Sequence, residues 1–269
     1  MNSSSSSPAS PQTRNRWLVF TDLDACLLNE HDYSWQGARS ALQFLAETNI
    51  PLVLASSKTL AEMQPLATEL GIATPLICEN GGAVLWPDGR CQTLGTSRDK
   101  ILEVLAPLAA SYRFRTFDQL QAAGIASLTG LTLEQARLAN QRMATEPLQW
   151  DDALENIPAF TAAVAESGLT VTKGGRFWHV AGDNNKAEGL RQVRDWYRQR
   201  GDSDIVTVAL GDSPNDIEML KAADVAIVIP GGDGQAKIDF AHACQHVAPR
   251  TGSEGWGAAV LQVLGAAAD

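Results

Sequence analysis

The sequence predicts an α/β fold, a parallel sheet core with helices on both faces, interrupted by an inserted α+β domain. Three observations predict it. Short apolar runs alternate with helical stretches near both ends of the chain, the pattern of parallel βαβ units. Each apolar run stops at a cluster of small, polar and charged residues. The middle of the chain breaks the alternation with two hairpin signals and several helical stretches.

The elements follow in order. Residues 1–15 are rich in Ser, Pro, Gln and Asn, lack the apolar stretch of a secretory signal, and read as a disordered tail. Trp17 to Phe20 is a buried strand that runs into Thr21-Asp22-Leu23-Asp24. Gln36 to Thr48 has helical spacing at Ala38, Leu42 and Leu45. Pro51 to Ala55 is a second strand, stopping at Ser56-Ser57-Lys58-Thr59. Thr59 caps a helix reaching about Leu70, with Gly71 at its end. Pro75 to Cys78 is a third strand, closed by Glu79-Asn80-Gly81-Gly82.

Val84 to Trp86 and Arg90 to Leu94 flank the turn Pro87-Asp88-Gly89 and read as a hairpin. Helices follow near Arg98 to Ala110, Leu133 to Arg142 and Asp151 to Glu166, then a second hairpin around Lys173-Gly174-Gly175. The inserted α+β cap is therefore placed at 85–184, and the core at 16–84 and 185–269. In the second core half, Lys186 to Arg200 is an amphipathic helix. Ile205 to Leu210 is a strand followed by Gly211-Asp212-Ser213-Pro214-Asn215-Asp216, where Pro214 suits a helix start. Val225 to Ile229 and Ser253 to Leu264 give a last strand and helix. The core is thus Rossmann-like, and ligands of such sheets bind outside the carboxyl ends of the strands.

Bulk properties bound the function. The chain has 269 residues, 45% hydrophobic and 19% charged, an ordinary globular mixture. Its net charge of -10 argues against nucleic acid or a membrane surface as partner. An anionic substrate would need a local cation to overcome that field. The four cysteines contain no C-x-x-C pair, so neither a disulfide framework nor a zinc site is expected and the expected compartment is the cytoplasm.

The polar clusters carry the chemistry. Asp22 and Asp24, one residue apart at a strand end, can both reach one site where the chain turns; one can attack while the other moves protons. Taken alone, the pair is equally a pair of solvated loop aspartates. Asp212 at the strand tip and Asp216 four residues on are hard oxygen ligands of the kind Mg²⁺ takes. An N-cap explains Asp216 alone and leaves Asp212 unexplained. Ser56, Ser57 and Lys58 offer hydroxyls, a cation and helix-start amides, the parts of a phosphate cradle or of a plain cap. Lys186 opens a helix, where the dipole gives a cation no reason to sit.

In this order the clusters resemble the four motifs of the haloacid dehalogenase superfamily of phosphatases. The insertion between the second and third motifs looks like the α+β cap of its sugar-phosphatase branch. Within that branch, Ser56 to Thr59, Glu79 to Gly82, Gln141-Arg142, Glu146-Pro147 and Gly174 to His179 are similar to the mannosyl-3-phosphoglycerate phosphatases. The resemblance implies Asp22 as nucleophile, Asp24 as acid and base, and Ser56 and Lys186 on the phosphoryl oxygens. It implies Mg²⁺ held by Asp22, the carbonyl of Asp24 and Asp212, with Asp216 behind the metal and Asn215 on phosphate or metal waters. The substrate implied is a small phosphorylated sugar acid of compatible-solute synthesis. Ser57, Lys58, Asn80, Gly81, Arg142, Gly174, Gly175, Arg176 and His179 would contact it, with Arg176 as the carboxylate clamp. A glucosyl-3-phosphoglycerate, a hexose phosphate, or binding without turnover remain alternatives. One departure stands out: the superfamily's Gly-Thr after the second Asp is Ala25-Cys26 here. Ala25 is expected to serve only at negative φ.

Overall fold

A computed structural model describes residues 16–201 and 204–265. The tail expected at 1–15 lies outside the described residues.

The core sheet holds β1 (Arg16–Thr21), β2 (Leu52–Ala55), β3 (Leu76–Cys78), β4 (Ala83–Leu85), β5 (Cys91–Thr93), β10 (Ile205–Gly211), β11 (Val225–Val228) and β12 (Gln245–Val247). Their order is β12-β11-β10-β1-β2-β3-β4-β5. Pairing is parallel from β12 to β3. Leu18, Val19, Phe20 and Thr21 are all buried in β1, as are all four residues of β2 and of β11. Strands covered on both faces need such unbroken apolar runs. One face packs α1 (Arg39–Glu47), α2 (Leu60–Glu69) and α9 (Gly252–Val260) through Leu45, Met63 and Trp256; the other packs α7 (Lys186–Arg198) and α8 (Ile217–Ala222) through Leu190, Val193 and Leu220. The Thr59 hydroxyl accepts from Glu62 N, and the Glu62 carboxylate accepts from Thr59 N, so α2 starts on a capping box.

Chain order reverses at the β1/β10 boundary, since β2 and β3 lie on one side of β1 and β10 and β11 on the other. That boundary is where a parallel α/β sheet opens a crevice. Thr21 stands opposite Leu210, so Asp22 and Asp212 leave adjacent strand tips.

The first hairpin corrects the expected domain boundary. It belongs to the core: β4 pairs antiparallel with β3, and β5 with β4. Positive φ at Glu79, Asn80 and Gly81 turns the chain back on itself. Val84 and Trp86 are buried, and Trp86 stacks on Trp196 of α7 at 5.7 Å. The inserted domain thus begins near α3 (Arg98–Leu108) rather than at 85.

That domain is built on a second sheet, β6 (Phe114–Thr116), β7 (Thr145–Trp150), β9 (Trp178–Ala181) and β8 (Thr170–Lys173), antiparallel throughout. Its core joins Ile101 and Leu105 of α3 with Phe114, Leu148, Phe160 and Val180, Phe160 coming from α6 (Ile157–Ala165). A smaller cluster joins Phe117 and Ile125 of α4 (Phe117–Thr129) with Ala136 of α5 (Leu133–Ala139) and Phe177. The expected hairpin is present as β8 and β9, whereas β6, α4 and β7 were not read from the sequence.

Candidate active site

Asp22, Asp212, Asp216 and Lys186 meet at the β1/β10 crevice, each no more than 6% exposed. Each arrives by local logic. Asp22 follows the last residue of β1, and its N–H donates to Leu210 O at 2.9 Å. Asp212 follows β10. Asp216 sits in the turn before α8 and lies close against the strand, which Gly211 permits, since a Cβ there would stand 2.5 Å from the Asp216 Cβ. Lys186 opens α7 behind the cap Asn185, whose side chain accepts from Glu188 N.

The Lys186 ammonium donates to Asp22 Oδ1 at 2.5 Å and to Asp216 Oδ1 at 2.6 Å. These two carboxylates explain a cation at a helix start. The other oxygen of Asp216 accepts from the N–H groups of Asp212 and Ser213, both at 3.1 Å, and from the Ser213 hydroxyl. Asp216 is therefore fixed on both oxygens.

Three carboxylates crowd together with a single ammonium that bonds two of them, and the acids respond. Burial, then the neighbouring Asp216 charge, overcome Lys186 and push Asp22 up to about 8. Burial and Asp216 raise Asp212 to about 6. Lys186 is held as ammonium, because its two carboxylates outweigh the cost of burial. Ligand oxygens of Asp22, Asp212 and Asp216 lie within 4.8 Å of one another. An excess of buried negative charge on hard oxygen donors fits a divalent cation such as Mg²⁺.

The Asp24 carboxylate lies 2.9 Å from the Lys58 ammonium. Burial works against the Lys58 charge, but Asp24 outweighs it and raises the group. Lys58 thus serves Asp24 in this state rather than standing open as part of a phosphate cradle. Ser56 is buried at the tip of β2; its carbonyl accepts from Asn80 N at 2.9 Å, and its hydroxyl from Lys58 N at 3.3 Å. Asn215 donates to the Asn80 side chain at 3.0 Å, tying the fourth cluster to the turn after β3.

Ala25 overturns the expectation of negative φ: its φ is 55°, in the left-handed region. The chain spirals there, with Leu28 N donating to Leu23 O, and seats Leu23, Cys26 and Leu27 in the core. An alanine in that region costs about 1 kcal/mol. The Cys26 thiol lies 3.6 Å from the Thr21 hydroxyl, which donates to Asp22 O and accepts from Trp256 Nε1.

The substrate residues expected in the cap divide. Arg142 donates to Thr145 Oγ1 at 2.8 Å and approaches Ser57 O at 3.5 Å, so it faces the core. His179 packs beside Gly174, and burial followed by the Arg142 charge lowers its imidazole to about 4. Arg176 is exposed and donates to Leu128 O inside the cap, and Gly175 faces open space. Gly81 is a packing residue: its φ is 84°, and a Cβ would stand 2.0 Å from Asn185 O. Sequence reasoning missed Glu79, which is fully buried. It also missed a cavity of about 410 Å³ beside Ala25, bordered by Asn29, His31, Gly231, Arg250 and Glu254. No spacing signalled either, since both depend on segments remote in sequence.

The family model of haloacid dehalogenase-like hydrolases matches residues 19–109 and 132–255, both halves of the sheet that carries this site. The chain belongs to the haloacid dehalogenase-like hydrolases. Among them it is 36% identical, over 92% of its length and 97% of the relative's, to the glucosyl-3-phosphoglycerate/mannosyl-3-phosphoglycerate phosphatase of Methanococcoides burtonii. Solved structures share the fold. A phosphatase of the family from Bacteroides thetaiotaomicron aligns with a TM-score of 0.68 at 20% identity, covering 97% of this chain and 99% of that one. A subclass IIB sugar phosphatase aligns with a TM-score of 0.64 at 14% identity, covering 92% and 98%. This haloacid dehalogenase-like hydrolase is a phosphoric monoester hydrolase. Among its described residues, no helix is long and apolar enough to cross a membrane.

Proposed function

We propose that the chain hydrolyses mannosyl-3-phosphoglycerate to mannosylglycerate and phosphate, with glucosyl-3-phosphoglycerate as the nearest alternative substrate. The observation that carries the chemistry is the buried Asp22, clamped by Lys186 beside Asp212 at the crevice. The choice of substrate class is supported by the likeness to the Methanococcoides burtonii enzyme.

In this reading a carboxylate oxygen of Asp22 attacks phosphorus, and the bond from phosphorus to the glycerate oxygen breaks. Asp24 delivers a proton to that leaving oxygen. Water then attacks the aspartyl-phosphate, Asp24 takes its proton back, and inorganic phosphate leaves with Asp22 restored. Lys186 and Ser56 hold phosphoryl oxygens and offset their charge. Asp22, Asp212 and the Asp24 carbonyl would hold Mg²⁺, which would supply the positive charge that lets an anionic nucleophile approach an anionic phosphate. Asp216 keeps Lys186 and the Asp212 backbone in place.

Arg142, which approaches Ser57 O, is the cap residue best placed to meet the sugar acid, with His179 close enough to feel its charge. The cavity beside Ala25 offers polar groups of both kinds for hydroxyls. Arg176, bonded to Leu128 O, would have to leave that carbonyl to clamp a carboxylate.

The test is phosphate release with Mg²⁺ across a panel of sugar phosphates, ranked by kcat/KM. Mannosyl-3-phosphoglycerate should lead, and Asp22→Asn should abolish release from every ester. Equal rates across the panel would sink the substrate assignment, and release by Asp22→Asn would sink the nucleophile.

A further inference from the structure

We propose that Glu79 is the anchor of the cap: a positioning residue that holds cap segment 143–145 against the core and so sets the angle at which the cap stands over Asp22. The Glu79 carboxylate is fully buried. It accepts from Met143 N at 2.7 Å, Ala144 N at 3.1 Å and Thr145 Oγ1 at 2.6 Å, all in the cap. Bonds to a charged acceptor are about twice as strong as neutral ones. Taken together they form a clamp between the two domains.

The Glu79 backbone faces the other way, toward the core. Its N–H donates to Lys58 O, and the N–H of Asn80 donates to Ser56 O, both at 2.9 Å. The Glu79 carbonyl accepts from Asn184, on the stretch that leads from the cap back into α7. Glu79 and Asn80 both adopt left-handed φ, at 51° and 55°. Two such residues in succession cost energy and persist where surrounding bonds over-determine them. One turn therefore links the loop carrying Ser56 and Lys58, the return to Lys186, and the cap. Arg142 precedes the clamped segment by one residue and shares the Thr145 hydroxyl, so its reach toward Ser57 depends on that segment.

Glutamate suits this place better than glutamine. Each of its oxygens meets a backbone N–H, whereas a glutamine in either orientation would turn its NH₂ toward the N–H of Met143 or of Ala144. Glu79→Gln keeps the volume and breaks the clamp.

The anchor rests on the proposed substrate only through the choice of probe. Two esters are compared with Mg²⁺: mannosyl-3-phosphoglycerate, which spans core and cap, and p-nitrophenyl phosphate, whose leaving group lacks the sugar acid. Glu79→Gln should lower kcat/KM for the first by about tenfold, mainly through KM, and by less than about twofold for the second. Amide exchange at 143–145 should quicken in the same variant. Thr145→Val, which removes one donor, should move both readouts in the same direction by less, and Thr145→Ser should restore them. It keeps the test available if Glu79→Gln does not fold. Equal losses on the two esters, or unchanged exchange at 143–145, would overturn the anchor. A wild type that does not favour mannosyl-3-phosphoglycerate would fail the substrate reading instead, and exchange at 143–145 would still decide the anchor.

Discussion

The two domains bury charge in opposite ways. The core gathers three carboxylates around one ammonium at neighbouring strand tips, leaving an excess of negative charge and raised acids. The cap gives its buried acid a cation of its own, although burial still raises Glu146. Glu146, fully buried, takes Arg98 Nε at 2.5 Å and Asp118 N at 2.9 Å, and Arg98 also donates to the carbonyl and side chain of Asn140. An unbalanced cluster of hard oxygens suits a divalent cation. A balanced pair holds a scaffold together.

The largest expected effect breaks the core cluster. Lys186→Met leaves two buried carboxylates without their cation, which should lower stability by about 3–5 kcal/mol. Chemical denaturation would show it, and a variant as stable as the wild type would mean the carboxylates take up protons at little cost. Arg98→Met should cost about 3 kcal/mol by the same reasoning, since Glu146 is fully buried. Its loss should concentrate in the cap, read as faster amide exchange in β7 with the core sheet unchanged.

Acidity should separate the domains further. The folded pKa of Asp22, about 8, lies above its ordinary 3.8. Between these values metal-free protein binds more protons folded than unfolded, so this contribution to stability, full below 3.8, is lost progressively as pH rises and is gone above about 8. His179 has the opposite sign, with a folded value of about 4 against an ordinary 6.5. The unfolded chain takes its proton first, so stability falls as pH drops from 6.5 to 4. That loss is about 2 kcal/mol, less than the full shift implies because the ring is part-exposed. Between pH 4 and 6.5 the two slopes oppose one another, so denaturation midpoints in EDTA should change little there and fall from about 6.5 to 8. Mg²⁺ should flatten that fall, because a ligated carboxylate is already ionised, and His179→Gln should extend it down to about pH 4 by removing the opposing slope. The smallest effect is at Ala25: glycine there should gain at most about 1 kcal/mol, by removing the left-handed penalty.

The core strands and the polar clusters at their ends are legible in the sequence alone. Parallel strands covered on both faces must be apolar throughout, so each ends in a visible change of composition. Asp22, Ser56 and Asp212 sit at those changes, and Lys186 at a helix start, where helix and strand signals are strongest. The cap was less legible. β7 contains Glu146, Pro147 and Gln149 and looks unlike a strand, because Glu146 is buried only through its pairing with Arg98, 48 residues away. The hairpin at 83–93 reads correctly as a hairpin, but only pairing with β3 assigns it to the core. Tertiary structure alone decided the positive φ of Ala25, the engagement of Lys58 with Asp24, the packing role of Gly81, and the clamp by Glu79. In each case the partner lies on another segment or the backbone angle is imposed by packing, and no local preference along the chain encodes either.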